Sequence, residues 1–311
     1  MVVAHRIHPQ VLSDLAKRFE VVANLSHEPW SDDHLAETCR TALGLMAFMT
    51  EHVDARFLSK CRRLKIVAGC LKGGDNIDRE ACAAAGVAVR VCEDLLTEPT
   101  AELALALLLS LARGLPAGDR HVRAGGFSGW RPKFYGSTLR GTRVGIAGLG
   151  AVGRAVGRNL AALGAVPVGT DPSSGSCEVA RTSGIEVVAP RDLADLSMLV
   201  LCLPLVPGTV GWLDGDRIRM LAPGALVVNV GRGSTVDEAA VSNALSKGRL
   251  GGYAADVYAF EDRSRPEAPV AVDPRWMQSD RTLLTPHLGS AVDSVRLAME
   301  VEAAGYLLRE L

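Results

Sequence analysis

The sequence has little of several features that mark special classes of protein. Aromatic residues make up only 5% of its 311 residues. The formal net charge is −1, so no basic surface for nucleic acid is predicted. The most apolar run, Leu103–Leu111, is too short to cross a bilayer, so no membrane span is predicted. The first residues, MVVAHRIHPQ, lack the long apolar stretch of a signal peptide, so we expect a cytoplasmic location.

Cysteine use excludes two further classes. The number of cysteines is odd, and no CxxC motif or Cys/His cluster is present, which disfavours a disulfide framework and a structural zinc site. We therefore expect reduced thiols and no bound metal. The seven residues concerned are Cys39, Cys61, Cys70, Cys82, Cys92, Cys177 and Cys202.

The chain does contain a regular alternation of short apolar segments with helix-like stretches. Helical periodicity is found in Val11–Phe19, in Val236–Lys247 and in a long stretch from about Thr100 to Arg123. Such alternation predicts an α/β protein whose parallel sheets are covered by helices on both faces. The predicted strands are Val21–Ala23, Gly44–Phe48, Lys65–Ala68, Val87–Val91, Arg143–Ala147, Val166–Thr170, Ile185–Val188, Leu199–Leu203, Ala225–Asn229 and Gly252–Ala255. Pro167 weakens the prediction for its own strand, because proline cannot donate to a ladder.

The stretch RVGIAGLGAVGRAVGRNLAALG contains a glycine pattern between a predicted strand and a predicted helix. Gly148, Gly150 and Gly153 fit GxGxxG, in which the glycines allow a tight turn, backbone approach to a pyrophosphate and close helix packing. Free N–H groups at the helix start favour an anion. In this context the pattern predicts a dinucleotide site that also includes Ala151 and Val152.

Asp171 ends the next predicted strand, 18 residues after Gly153. A carboxylate at this point can accept hydrogen bonds from the adenosine ribose and repels a 2′-phosphate, so NAD is favoured over NADP. The following residues include no arginine that could bind such a phosphate. The alternative interpretation makes Asp171 a simple turn cap before Pro172.

Three later segments place polar residues just after apolar strands. Arg232 follows VVNVG, Asp256 and Glu261 follow GGYAA, and His287 follows LLTP. Residues beyond the carboxyl ends of parallel strands converge on the ligand crevice of such a sheet. An arginine can bind an anion through two hydrogen bonds, a histidine can transfer a proton near neutral pH, and a glutamate can orient that histidine.

These segments resemble the D-2-hydroxyacid dehydrogenase family over almost the whole chain, through GLGAVG, VNVGRG, VDEAAV, AADV and TPH. The resemblance implies Arg232 as substrate-binding residue, His287 as acid/base and Glu261 as its orienting partner. It also implies that Asp256 contacts the nicotinamide carboxamide. The full set of expected cofactor-binding residues is Gly148, Gly150, Ala151, Val152, Gly153, Asp171, Pro204 and Asp256.

The resemblance further implies a Rossmann NAD domain, residues 99–285, inserted in a discontinuous flavodoxin-like substrate domain, residues 1–98 and 286–311. Both domains are expected to be doubly wound parallel sheets. Two departures from the family stand out. Asp262 follows Glu261 where the family usually has proline, and relatives usually continue for a further segment beyond the position of Leu311.

The segment GCLKGGDNID carries a lysine, Lys72, where the family pattern has a small residue. This feature is similar to the phosphite (phosphonate) dehydrogenases within the family, as are MAFM, DLLTEPTAELA, GGFSGWRPKFYG and TPHLGSAVDSVR. The resemblance implies NAD-dependent oxidation of phosphite to phosphate in a homodimer. The substrate-binding residues that it implies are Lys72, Gly73, Arg232, Met49, Arg296, Trp130 and Tyr135, the last two closing the pocket from either subunit.

Other interpretations stay open at this stage. A dehydrogenase for lactate, glycerate or glyoxylate would use Arg232, Glu261 and His287 without Lys72, and a non-catalytic NAD(H)-sensing protein could keep all of them. Formate dehydrogenases normally pair the histidine with glutamine, so Glu261 disfavours that activity. Lys72 could be a surface lysine, and Arg296 could pair with Asp293 or Glu300 on its own helix. Met49 could be a core residue, and Trp130 and Tyr135 could pack an interface.

Overall fold

A computed structural model describes residues 1–265 and 267–311, which divide into two compact units. The first unit contains Met1–Leu96 and Ser290–Leu311, with a short segment that begins at Asp262. The second contains Thr97–Glu261 and Glu267–Gly289, so that His287 groups with the second unit although the expected domain boundary precedes it. That the first unit binds substrate stays a prediction.

The first unit is built on a five-stranded parallel sheet in the order β2-β1-β3-β4-β5. This is the flavodoxin-like order of a doubly wound sheet. Side chains of Ser31, Asp54 and Asp78 cap three of its helices by accepting first-turn N–H groups. The elements are β1 (Val2–Val3), α1 (Pro9–Ala16), β2 (Val22–Ala23), α2 (Asp32–Cys39), β3 (Gly44–Ala47), α3 (Ala55–Lys60), β4 (Ile66–Gly69), α4 (Arg79–Ala84) and β5 (Ala88–Val91).

The second unit has a seven-stranded parallel sheet in the order β12-β11-β10-β9-β6-β7-β8. The order reverses between β6 and β9, and such a switch point is where an open α/β sheet binds its ligand. The elements are α5 (Thr97–Ala112), α6 (Leu115–Arg123), β6 (Arg143–Ala147), α7 (Ala151–Ala162), β7 (Val166–Thr170), α8 (Ser174–Thr182), β8 (Glu186–Val187), β9 (Met198–Leu201), α9 (Gly215–Met220), β10 (Ala225–Asn229), α10 (Glu238–Ser246), β11 (Leu250–Ala255), α11 (Pro274–Met277) and β12 (Thr282–Leu284).

The last helix, α12 (Asp293–Glu310), returns to the first unit. It packs on β3 and β4, and its buried residues Met299, Ala303 and Leu307 belong to the core of that sheet. The thiols of Cys70 and Cys92 both donate to the Met299 carbonyl, at 3.8 and 3.5 Å. The first unit is therefore discontinuous in sequence.

The prediction of one continuous helix is wrong. The helix expected from Thr100 to Arg123 breaks at Gly114, whose φ of 61° lies in the left-handed region, and α5 and α6 are bent by 63°. None of the described helices is by itself long and apolar enough to cross a bilayer, although this bent pair meets that criterion when its members are combined.

Pro167 is an ordinary member of β7, contrary to the reservation about its strand. The amide of Val166 donates to the Thr142 carbonyl on the β6 side, so the next amide position faces the opposite neighbour, β8. Pairing with β8 begins only at Val168. The missing N–H of proline therefore leaves the ladder intact.

Candidate functional site

The glycine-rich turn joins β6 directly to α7 in the second unit. Gly148 has φ 92°, which side chains rarely adopt, and its N–H donates to the Thr170 carbonyl at 2.9 Å. A side chain at Gly153 would overlap the Gly148 carbonyl, so the helix can approach only with glycine there. Gly150 caps α7 without a side-chain hydrogen bond, and open space surrounds it. The first N–H groups of this helix, from Ala151 onward, thus suit a pyrophosphate.

Asp171 combines the two roles considered for it. Its Oδ2 accepts from the Leu149 N–H at 2.8 Å, which holds the glycine-rich turn, and its Oδ1 accepts from the Ser173 N–H at 2.8 Å, as in a turn cap. The carboxylate is half-buried at the end of β7, in the position expected for ribose binding. Pro204 is exposed just beyond β9, the neighbouring strand at the switch point. These residues fit a dinucleotide.

Asp256 follows β11 and is 1% exposed. Oδ1 accepts from the Thr285 hydroxyl at 2.6 Å and the Leu288 N–H at 2.7 Å, while Oδ2 accepts from the Gly289 N–H at 2.9 Å. Burial raises the pKa of Asp256, and these hydrogen bonds oppose that shift. The carboxylate therefore fixes the loop that follows β12, a contact that sequence reasoning did not foresee.

His287 lies in that loop, with φ 55°, and its N–H donates to the Asp256 carbonyl at 2.9 Å. Its Nδ1 is 3.0 Å from Glu261 Oε1, and Glu261 Oε2 accepts from the Tyr258 N–H at 2.8 Å. Both side chains are about a quarter exposed, at 26% and 27%. Because Nδ1 is bonded to the carboxylate, Nε2 is the nitrogen available to exchange a proton with a ligand.

Arg232 follows β10 and is positioned by its neighbours. Any side chain at Gly233 would overlap the backbone of Tyr258 and Ala259, so the arginine loop packs against the loop that leads to Glu261. The Arg232 carbonyl accepts from the Thr235 hydroxyl at 2.6 Å and is also bonded by a buried asparagine of β10. The three predicted catalytic residues thus follow the adjacent strands β10, β11 and β12, at the same edge of one sheet.

The remaining predicted substrate residues lie in the first unit. Lys72 and Gly73 follow β4, and the lysine Nζ is 3.9 Å from Asp94 Oδ1 with 29% of its side chain exposed. Arg296, in the first turn of α12, donates to the Cys70 carbonyl at 3.3 Å, two residues before Lys72. Within the described residues, Arg296 does not bond to Asp293 or Glu300 on its own helix, and the carboxylates of those two residues bond to His8 instead.

Arg296 also lies 5.4 Å from the centroid of the Phe48 ring, next to Met49. Met49 is half-buried rather than a core residue. The arginine therefore joins the loop after β3 to the loop after β4, which are the two loops predicted to bind substrate.

Sequence reasoning missed a buried polar cluster beneath the loop after β3. Glu51 is 4% exposed, and its Oε2 accepts from the Phe48 N–H at 2.5 Å. Burial alone would raise the pKa of Glu51, but hydrogen bonds from His5, Thr50 and the Phe48 amide lower it. Asn76 donates to the Phe48 and Glu51 carbonyls at 2.8 and 2.7 Å. The asparagine of DNID was the one available signal.

Trp130 and Tyr135 are 76% and 80% exposed, in a segment without helix or strand that also exposes Phe127. They therefore do not pack within the single chain. In the described residues, all seven cysteines are free and no group of three or more His, Cys, Asp or Glu side chains could hold a metal ion.

Comparison with known proteins agrees with this architecture. Residues 105–289 match the D-isomer specific 2-hydroxyacid dehydrogenase, NAD binding domain. The chain is 31% identical to a glyoxylate reductase of Thermococcus onnurineus (strain NA1), over 96% of this chain and 89% of the relative. It is 32% identical to the D-3-phosphoglycerate dehydrogenase of Mycobacterium bovis over 97% of this chain, but spans only 57% of that relative's length.

Solved structures show the same fold. The TT0316 protein from Thermus thermophilus has a TM-score of 0.87 at 29% identity, covering 99% of this chain and 95% of its own. An NADPH-dependent glyoxylate/hydroxypyruvate reductase from Sinorhizobium meliloti, in complex with NADP and malonate, has a TM-score of 0.83 at 29% identity, covering 99% and 92%. The protein belongs to the D-isomer specific 2-hydroxyacid dehydrogenase family and is an NAD-dependent dehydrogenase of that family.

Proposed function

We propose that this protein oxidises phosphite to phosphate with NAD. The observation that carries the proposal is Lys72, a cation on the loop after β4, where the family pattern has a small residue. Arg296 supports the same loop through the Cys70 carbonyl. A second cation besides Arg232 suits a substrate with more negative charge than a carboxylate.

The reaction converts phosphite, water and NAD⁺ into phosphate, NADH and a proton. NAD, when bound, supplies the hydride acceptor. Lys72 and Arg232 bind the phosphite oxygens, which orients the P–H bond and stabilises the developing charge. His287 takes a proton from the water whose oxygen forms the new P–O bond, and Glu261 stabilises the protonated imidazole through Nδ1.

A second candidate is reduction of glyoxylate or a related 2-ketoacid, with lactate or glycerate as possible hydroxyacids in the opposite direction. The relatives named glyoxylate reductase favour it, at 31% identity. Arg232 would bind the substrate carboxylate, and His287 would donate a proton to the carbonyl oxygen as hydride reaches its carbon. Lys72 has no required part in this reaction.

Absorbance of NADH separates the candidates. Purified protein is mixed with NAD⁺ and phosphite, D-lactate, D-glycerate or formate, and separately with NADH and glyoxylate. We expect NADH formation with phosphite; turnover with hydroxyacids or glyoxylate alone would replace this proposal with the second candidate. No turnover with any of them would favour a non-catalytic NAD(H)-sensing protein.

The variant Lys72→Ala tests whether Lys72 binds the substrate. Loss of a charge-assisted hydrogen bond is expected to lower kcat/KM for phosphite by about 10- to 100-fold. Lys65→Ala is the matched control, because Lys65 is exposed and lies just before β4 rather than after it. Full phosphite activity in Lys72→Ala would reject the role of the lysine.

A further inference from the structure

The chain passes from the second unit to the first directly after Glu261. The second unit ends its first segment at Glu261, and the residues from Asp262 group with the first unit. Within that unit, Arg263 Nη2 donates to Asp32 Oδ2 at 2.7 Å, and Arg263 Nη1 donates to the Thr50 carbonyl at 3.0 Å. One guanidinium thus bonds to the start of α2 and to the loop after β3.

The loop after β3 is a firm anchor for this arginine. The Thr50 hydroxyl donates to Glu51 Oε1 at 2.7 Å and lies 2.5 Å from His5 Nε2. Glu51 is buried and bonded to the Phe48 amide. Thr50 also directly follows Met49, so Arg263 is bonded to the segment predicted to border the substrate.

Glu261 is only two residues away along the chain. Two residues span at most about 7 Å, so the position of Arg263 restricts that of the Glu261 backbone. Asp262, between them, is 4% exposed, which leaves this connection little freedom. Glu261 in turn bonds to His287 Nδ1.

We propose that Arg263 is a positioning residue that restrains the backbone of Glu261 and, through the Glu261 carboxylate, the imidazole of His287. The inference rests on the proposed roles of Glu261 and His287. Small displacements of a proton-transfer group reduce turnover far more than they reduce cofactor binding. The Arg263 and Asp32 side chains are 37% and 62% exposed, and ion pairs so exposed add little to stability.

The test compares Arg263→Ala, Asp32→Asn and their double variant with the wild-type protein and with Lys60→Ala. Lys60 makes a matched control because its ammonium bonds to Asp33, the neighbour of Asp32, at 2.9 Å. We expect Arg263→Ala to lower kcat by about 10- to 100-fold while the Kd for NADH, from fluorescence titration, changes less than about twofold. Asp32→Asn should lower kcat less, and the double variant no further than Arg263→Ala. Arg263→Lys should restore part of the activity.

Three results would overturn the proposal: wild-type kcat in Arg263→Ala, an equal loss in Lys60→Ala, or a loss matched by weaker NADH binding. If phosphite fails and glyoxylate is turned over, the same comparison is made with glyoxylate, so the two proposals fail separately. If nothing is turned over, amide hydrogen exchange of residues 255–265 in the NADH-bound protein decides. Faster exchange in Arg263→Ala supports the anchor, and unchanged exchange rejects it.

Discussion

At the scale of single residues, His287 and Asp256 depend on each other. A histidine at φ 55° adopts a backbone conformation that costs of order 1–3 kcal/mol and persists only where its surroundings impose it. Asp256 does so by accepting N–H groups from Leu288 and Gly289 and by receiving the His287 N–H at its own carbonyl. The strained backbone therefore aims the imidazole.

Asp256→Asn should disturb this arrangement, because one accepting oxygen becomes an NH₂ group that faces a backbone N–H. We expect kcat to fall at least about tenfold and the free energy of unfolding to fall by about 1–3 kcal/mol. Urea unfolding and steady-state kinetics measure both. Thr285→Val removes one hydrogen bond and keeps both backbone donors, so it should lose less; equal losses in the two variants would contradict this account.

Asp171 is the residue that we expect to determine the choice between NAD and NADP. Asp171→Ser removes the charge that repels a 2′-phosphate, and kcat/KM for NADP should rise while that for NAD falls about tenfold. The measurement is the ratio of the two kcat/KM values. Because Asp171 also holds the Leu149 amide, melting temperature serves as the control for folding. An unchanged ratio would show that another group discriminates the cofactors.

The identity of the polar groups was easier to predict than their partners. Glu261 and His287 follow recognisable strand ends, and their direct bond agrees with the predicted pairing. The bonds of Asp256 to amides 32 and 33 positions later depend on how two loops meet, which no local pattern encodes. Arg263 was missed for the same reason.

At the scale of elements, the break between α5 and α6 has a local cause. Gly114 adopts φ 61° at the first position before α6, and Gly118 lies inside that helix with open space around it. Alanine substitutions at these two glycines therefore form a matched pair of stability tests.

Gly114→Ala should lower the free energy of unfolding by about 1 kcal/mol, because a side chain strains the left-handed conformation. Gly118→Ala should raise it by about 0.5–1 kcal/mol, because alanine favours a helix interior. Urea titration of both variants measures whether the free energy of unfolding falls or rises in each. The same sign in both would mean that the bend does not depend on Gly114.

Helices α1 and α12 are joined through His8. The hydrogen bond to Glu300, a carboxylate that is 1% exposed, raises the pKa of His8; burial opposes this shift, and Asp293 adds to it. Protonated His8 therefore stabilises the fold. This contribution is complete below the unfolded value near 6.5 and is lost as the pH rises through the higher folded value.

His8→Gln should consequently destabilise the protein more at pH 6 than at pH 9. The free energy of unfolding of wild-type and variant protein, measured at both pH values, gives the difference. His27→Gln, at an exposed histidine of the same unit, is the control. A difference that does not vary with pH would exclude the protonated pair.

The sheet of the second unit was the more predictable one. Apolar runs bounded by turns gave β6, β7 and β10 with the observed ends. β1 and β12, of two and three residues, were missed, although β2 and β8, which have two residues each, lie within predicted strands. The long helix was predicted as continuous because a single glycine, such as Gly114, is tolerated inside a helix.

At the scale of the whole molecule, the exposed aromatic segment is where we expect two chains to associate. Phe127, Trp130 and Tyr135 are all more than half exposed. Exposed aromatic side chains grouped in this way are typical of interfaces. The expected homodimer would bury them.

Sedimentation of the wild-type protein should therefore show a dimer, and the double variant Trp130→Ala, Tyr135→Ala should shift it toward monomer. Met277→Ala provides the control, because Met277 is 63% exposed elsewhere on the same unit. A monomeric wild type at micromolar concentration, or a dimer unaffected by the double variant, would rule out this interface.

The return of α12 to the first unit also bears on biosynthesis. β3 and β4 leave the ribosome early, but α12, which covers them with Ala303 and Leu307, emerges only after the whole second unit. Domains fold largely as units during synthesis. The middle of this chain can therefore finish folding before its beginning, and the part of the amino-terminal sheet that α12 covers stays open until this last helix has been made.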